Sequence, residues 1–267
     1  MAMTAENPRA ALTVAEARTV MEGAGVPIRR VLPSAEAPYE QVDPFVLLDE
    51  GRLRFHKGMP NFPVHSHRGF EIVTYSLRGP IGQVMHAEGR QEPAAVGEGG
   101  LLRITAGRGM AHGEGAGETP LAEGQELHIL QLWVNLARAD KGLEPSVQTA
   151  ESAQLPLDER EGARVRVLVG EGSPVRLHTP VLYLDVSLDA GRQLSLPVPA
   201  GWQGFAYLLA GSSEFGTGGS RAASGQLVLL GPGDSVGVKA GPEGARFVLA
   251  AGRPHGEEPI WNRGAVD

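Results

Sequence analysis

Cysteine is absent from the 267 residues. That excludes disulfides, thiolate metal sites and cysteine nucleophiles, so any metal here must be held by His, Asp or Glu. No run of about 18 apolar residues occurs, which excludes a membrane-spanning helix. The start, "MAMTAENPRAALTV", has no basic region followed by an apolar core, so no secretory signal is read there. The cytoplasm is the expected compartment. Positive charge is scarce too: 24 Lys and Arg stand against 31 Asp and Glu, a formal net charge of −7. Without a basic stripe carrying interleaved aromatics, direct binding to nucleic acid is not expected. Nor is there a G-x-S-x-G elbow for a serine nucleophile. "AGRGMAHGE" is Gly-rich, but no P-loop lysine pattern follows it.

What is abundant is Gly (37) and Pro (20), which favours many turns. Between them lie short apolar segments. "TVAEARTVMEGAG" reads as a short helix, with Thr13 and Glu16 as a capping box, and Val14, Ala17 and Met21 on one face. From about residue 26 the pattern is β, with strands expected over 27–32, 45–49, 69–77, 82–87, 100–106 and 126–135. Glu88-Gly89 marks a turn. Residues 137–163 turn polar and Ala/Glu-rich, the composition of an exposed linker. Strands resume with "ARVRVLVG", "VLYLDVSL", "GFAYLLAG", "GQLVLLGPG" and "ARFVLAAG". The division is therefore a tail and short helix (1–24), a first β domain (25–140), a linker (141–163) and a second β domain (164–267).

The two β regions repeat. "GFEIVTYSLRG" (69–79) aligns with "GWQGFAYLLAG" (201–211), which sets Tyr75 on Tyr207. "GEGGLLRITAG" (97–107) aligns with "GPGDSVGVKAG" (231–241). A duplicated β domain is the reading.

Two histidine-bearing pairs carry the chemistry. In an extended strand, residues i and i+2 share a face. In "FPVHSHRGFE" that applies to His65 and His67, and Pro63 favours extended backbone before them. "RGMAHGEGAG" adds His112 and Glu114 with the same spacing. Each pair alone reads more readily as polar residues at a strand edge or start. Together, three imidazoles and a carboxylate suit Fe(II), Mn, Co, Ni, Cu or Zn and leave coordination positions open. Carrying the offsets of the repeat along the chain sets Pro197, Pro199, Arg246 and Val248 at the corresponding places. One metal, in the first half only, is the expectation. His128 shares its parity with Leu130 and Leu132 and reads as a satisfied interior or rim histidine. His56 lies near the entry to the first pair, and His86 and Glu88 near a turn; His178 and His255 read as surface.

"VHSHRGFEIVTYSLRG", "TAGRGMAHGE" and "LQLWVNL", with "VPIRRVLPS", "DPFVLLDE" and "LAAGRPHGEEPI", resemble the pirins. The resemblance is dense over residues 25–136 and looser beyond. It implies an all-β bicupin: two antiparallel β-barrel (jelly-roll) cupin domains packed together, with one iron in the first. It implies His65, His67, His112 and Glu114 as iron ligands. Some bacterial pirins resemble quercetin 2,3-dioxygenases, which implies a flavonol-like substrate, O2 and a catalytic proton-accepting role for Glu114. Other pirins resemble redox-responsive regulators, which implies a non-enzymatic iron sensor with a protein partner. The sequence departs from the family in two places. "MHAEGRQ" lacks the family's Asp-Ser pair, and "IWNRGAVD" replaces its aromatic, Met-Asn-containing ending, which bears on how the C-terminus packs against the first domain.

Overall fold

The computed structural model describes residues 7–23, 25–56, 62–114, 121–262 and 264–267, with the side chain of Glu114 outside the described residues. The regular structure of the described chain is almost wholly antiparallel sheet. In the first half a seven-stranded sheet runs in the order Ser146–Ala150, Leu101–Thr105, Phe70–Arg78, Glu126–Asn135, Phe45–Arg54, Val26–Leu32, Arg18–Glu22. A four-stranded sheet faces it, in the order Phe62–His67, Met110–Glu114, Ile81–Ala87, Arg90–Val96. The second half repeats this order as one nine-stranded sheet, because Gln203–Phe215 and Ser235–Gly252 are long enough to bend through both layers. Each half is thus a two-layered cupin sandwich with open edges rather than a closed barrel.

The short helix expected near the start does not form. Ala11–Glu16 and Arg18–Glu22 are both strands. The first pairs with Gln226–Leu230 at the edge of the second half, and the other with Val26–Leu32 in the first half. Unpaired edges draw chain to them, and Thr13, Val14, Thr19 and Val20 are β-branched, so edge pairing overrides the local helical pattern. Residues 141–163 are likewise woven into both sheets: Ser146–Ala150 pairs with Leu101–Thr105, and Leu157–Arg160 with Ala163–Val169. The expected turn is present, with Glu88 at φ 52 and Gly89 at φ 78 closing the hairpin between Ile81–Ala87 and Arg90–Val96.

The two large sheets pack face to face. Strand Phe70–Arg78 is buried along all but its last residue because both its faces are covered. Val73, Tyr75 and Leu77 point to the other half, where they meet a core that includes Tyr183, Phe205, Tyr207 and Val248. Phe70 and Ile72 point into their own sandwich, with Ile81, Met85 and Met110. Burying large side chains of this kind contributes about 1.5–3 kcal/mol each, so this interface holds the halves together.

A symmetric polar device sits in that interface. Tyr75 donates to Asp185 of the second half (2.8 Å), and Tyr207 donates to Glu50 of the first (2.6 Å). Ladder register makes the pairs equivalent: Tyr75–Leu130–Glu50 lie side by side, as do Tyr207–Val248–Asp185. Two residues before Leu130 and Val248 stand His128 and Arg246. His128 bonds Glu50 at 2.7 Å, and Arg246 grips Asp185 at 3.1 and 2.7 Å.

Candidate metal centre

Three imidazoles converge between the layers of the first half. His65 and His67 come from the edge strand Phe62–His67, and His112 from its neighbour Met110–Glu114, where His112 pairs across from His65. Their ligand atoms all lie within 4.8 Å of one another. Among the described residues this is the one His, Asp or Glu cluster of that kind. The backbone of Glu114 lies on the same strand, opposite Gln83.

Each ring has its Nδ1 facing a carbonyl oxygen. His65 Nδ1 is 2.8 Å from Pro63 O, His67 Nδ1 is 3.1 Å from Gly264 O, and His112 Nδ1 is 3.0 Å from the Gln83 side-chain oxygen. A carbonyl only accepts, so each Nδ1 is the protonated nitrogen and each Nε2 carries a lone pair. His67 Nε2 is buried and has no hydrogen-bond partner among the described residues. The Nε2 atoms of His65 and His112 stand 3.1 Å apart. Three lone pairs aimed at one small volume repel unless a cation joins them. The donor set therefore fits a divalent transition metal. Burial and the neighbouring imidazoles depress the basicity of two rings: His67 is lowered to about 4 and His112 to about 2. Both are neutral near pH 7, the form that ligates.

The rings are braced from both halves. Gln83 donates to Thr74 (3.2 Å) while it orients His112. Trp133 stacks on Phe70, with centroids 4.3 Å apart, and both meet the face or edge of His67. Gly264 belongs to the C-terminal segment, which packs against the first domain despite its atypical sequence. Lys141 ties that segment down by donating to Gly69 O, Asn135 Oδ1 and Val266 O at 2.7–2.9 Å. Gly69 is required there: at φ +87, an added Cβ would lie 1.8 Å from Val266 O. Arg68 pairs with Asp267.

His65 and His67 open onto a cavity of about 700 Å³. Strand Glu126–Asn135 lines it through Ile129, Gln131 and Trp133, and its neighbour through Leu47, Asp49 and Leu53. Arg30 crosses the wall, bonded to Asp49 at 2.9 and 2.8 Å and to Glu22 at 2.7 Å. Burial pushes the Asp49 carboxyl up, against the pull of Arg30.

His128 lies on the opposite face of its strand, in the domain interface, satisfied by Glu50. His56 and His86 do not join the cluster, and the backbone of Glu88 forms the hairpin turn. His178 and His255 are more than surface residues: His178 bonds the fully buried Glu71, and His255 contacts Asn135 O and Thr179 across the halves. Sequence reasoning missed Gln83, Gly264 and Trp133 as parts of the site. Only Trp133 carried a signal, by alternating with the interior residues Leu130 and Leu132.

The second half holds no such cluster among the described residues, but not at the positions the sequence offsets gave. The ladders align Met110 and His67 with Val236 and Leu196, and His112 and His65 with Val238 and Leu194. Arg246 and Val248 instead correspond to His128 and Leu130. The constant offset fails because the repeat's loops differ in length. The true counterparts are apolar and pack into the second interior.

Two family models match the chain: Pirin over residues 25–134, and the Pirin C-terminal cupin domain over 183–265. Human pirin is 38% identical over 255 residues, covering 92% of this chain and 83% of that protein. A quercetin 2,3-dioxygenase structure from Acinetobacter baumannii superposes with a TM-score of 0.86 at 23% identity, covering 97% of this chain and 91% of that one. The Escherichia coli pirin YhhW in complex with nickel(II) superposes with a TM-score of 0.67 at 16% identity, covering 91% and 99%.

Proposed function

Because the chain belongs to the pirin family, we propose that it is a metal-dependent dioxygenase of the quercetin 2,3-dioxygenase type. One observation supports this most: convergent, pre-oriented imidazoles open directly onto a cavity large and apolar enough for a flat polycyclic substrate. The activity named for the Acinetobacter neighbour agrees with that reading, and the nickel complex of the E. coli neighbour agrees with a divalent ion in this fold. Residues 25–140 carry the chemistry, and residues 164–267 brace it.

In this reading His65, His67, His112 and Glu114 hold one divalent metal, Fe(II) foremost, with Mn, Co, Ni, Cu and Zn compatible with the donors. Bound there, the metal supplies Lewis acidity that favours the ionised form of a substrate hydroxyl. Glu114 takes the 3-hydroxyl proton of the flavonol. Pro63 O, Gly264 O and Gln83 keep the three imidazoles in the ligating tautomer. Trp133, Ile129 and Leu47 hold the aromatic rings and exclude water. O2 adds to the flavonolate, the central ring opens to an ester, and one ring carbon leaves as CO.

The test is anaerobic loading with Fe(II), then quercetin and O2. Loss of flavonol absorbance with stoichiometric CO is the expected result. Unchanged absorbance and no CO from the fully loaded protein would replace this reading with a non-enzymatic, iron-dependent redox sensor acting through protein partners.

A further inference from the structure

We propose a second ligand site, independent of the metal, in the interface between the halves: a pocket for a small oxyanion, either phosphate or a short carboxylate. It is a cavity of about 260 Å³ whose wall includes Arg164, Arg166 and Arg246, with Tyr75, Ser152 and Ser187.

The charges are unequally satisfied. Arg246 is committed to Asp185 through two hydrogen bonds. Arg164 pairs with Glu159 in a largely exposed contact, which water screens. Arg166 is half-buried, and its one hydrogen bond among the described residues goes from Nη1 to the Ser152 carbonyl (2.6 Å). No carboxylate pairs with it there. Glu98, the other acid of the wall, accepts from the backbone N–H of Gly79 at 3.1 Å. Counting Glu159, three guanidiniums meet three carboxylates, but among the described residues none of those carboxylates pairs with Arg166. A half-buried guanidinium with unused N–H groups is a fork suited to two oxygens of one anion.

The other side of the interface shows why the space exists. By register, Glu50 corresponds to Asp185, Arg29 to Arg166, and Arg52 to Ser187. Around Glu50, Arg52 bonds Glu50 at 2.7 Å and reaches Leu209 O at 3.0 Å, while Arg29 lies 3.6 Å from Glu50. That copy plugs its own pocket. Around Asp185 the plug is a serine, and Arg166 has turned to a backbone carbonyl. The second copy keeps the cationic wall and lacks the side chain that fills it.

Calorimetric titration of the metal-loaded full chain, at constant chloride, with inorganic phosphate and separately with succinate tests this. Saturable one-site binding of at least one of them is expected, and the responding probe names the oxyanion class. Arg166→Gln should weaken it about tenfold, the loss of one charged hydrogen-bonding partner. Ser187→Glu should abolish it by filling the space and cancelling the charge; if that variant does not fold, Arg164→Gln serves, again with weaker binding expected. Silence with both probes up to about 10 mM, a range in which even weak sites respond, would overturn the proposal. So would binding that survives these substitutions unchanged, since the anion would then sit elsewhere, for instance on the metal.

Discussion

The two halves share one strand order but use the same inward positions differently. Where the first presents His65, His67 and His112, the second presents Leu194, Leu196 and Val238. Buried imidazoles with no ion are costly, whereas buried leucines need no partner. The first half accepts an incompletely satisfied interior, which suits a ligand site. The second has an apolar interior at those positions. The reverse asymmetry appears at the interface. There the first half closes its pocket with Arg52, and the second leaves its own open with Ser187.

The sharpest way to break the comparison is at the metal. His65→Ala/His112→Ala should take metal content, read by elemental analysis after loading, from about one equivalent to none, because two of the three converging imidazoles are gone. Metal retained at full stoichiometry by that variant would remove the distinction between the halves.

A smaller effect is expected in the second interior. Leu196→Ala should cost about 2–4 kcal/mol in denaturant unfolding, the range for a buried leucine cavity. It should leave metal content unchanged. A loss of metal there would mean that the second half does more than brace the first.

The smallest effect tests the crossed tyrosines. Tyr207→Phe removes one donor to a buried carboxylate and should cost about 1–3 kcal/mol. Its pH dependence is specific. Burial alone would raise the Glu50 pKa, but bonds from His128, Tyr207 and Arg52 outweigh it and hold the group at about 2, below the usual 4.5. A depressed carboxyl stabilises fully above about pH 4.5 and loses that contribution as pH falls toward 2. In Tyr207→Phe the native pKa rises, so the acid loss becomes smaller and ends at higher pH. Identical acid limbs in both proteins would show that Tyr207 does not set the Glu50 charge.

Much of this was legible in the chain. Strand Glu126–Asn135 agrees with its expected bounds, and the Gly-bounded apolar runs elsewhere mark strands to within a few residues. The i, i+2 spacing put His65 and His67 on one face because strand parity is a local property, and the ladder with Met110–Glu114 brings His112 to them. Strand Ala11–Glu16 was not legible, since what decides it is an edge more than 200 residues away. Nor were the counterparts in the repeat, because loop lengths shift register without leaving a local trace.

By itself, the sequence determined that this chain is a duplicated β protein of the pirin family whose metal chemistry can use only His and carboxylate donors. Absence of cysteine and strand periodicity suffice for the donor set and the β class, and the family is carried by the resemblance of its motifs. Only the tertiary structure decided which nitrogen of each imidazole faces the common point, because that depends on carbonyls brought from Pro63, Gln83 and Gly264. Only it decided that one interface pocket is plugged and its twin is open. Apart from the local Pro63–His65 contact, those outcomes depend on contacts between residues far apart in the chain, and local pattern does not encode them.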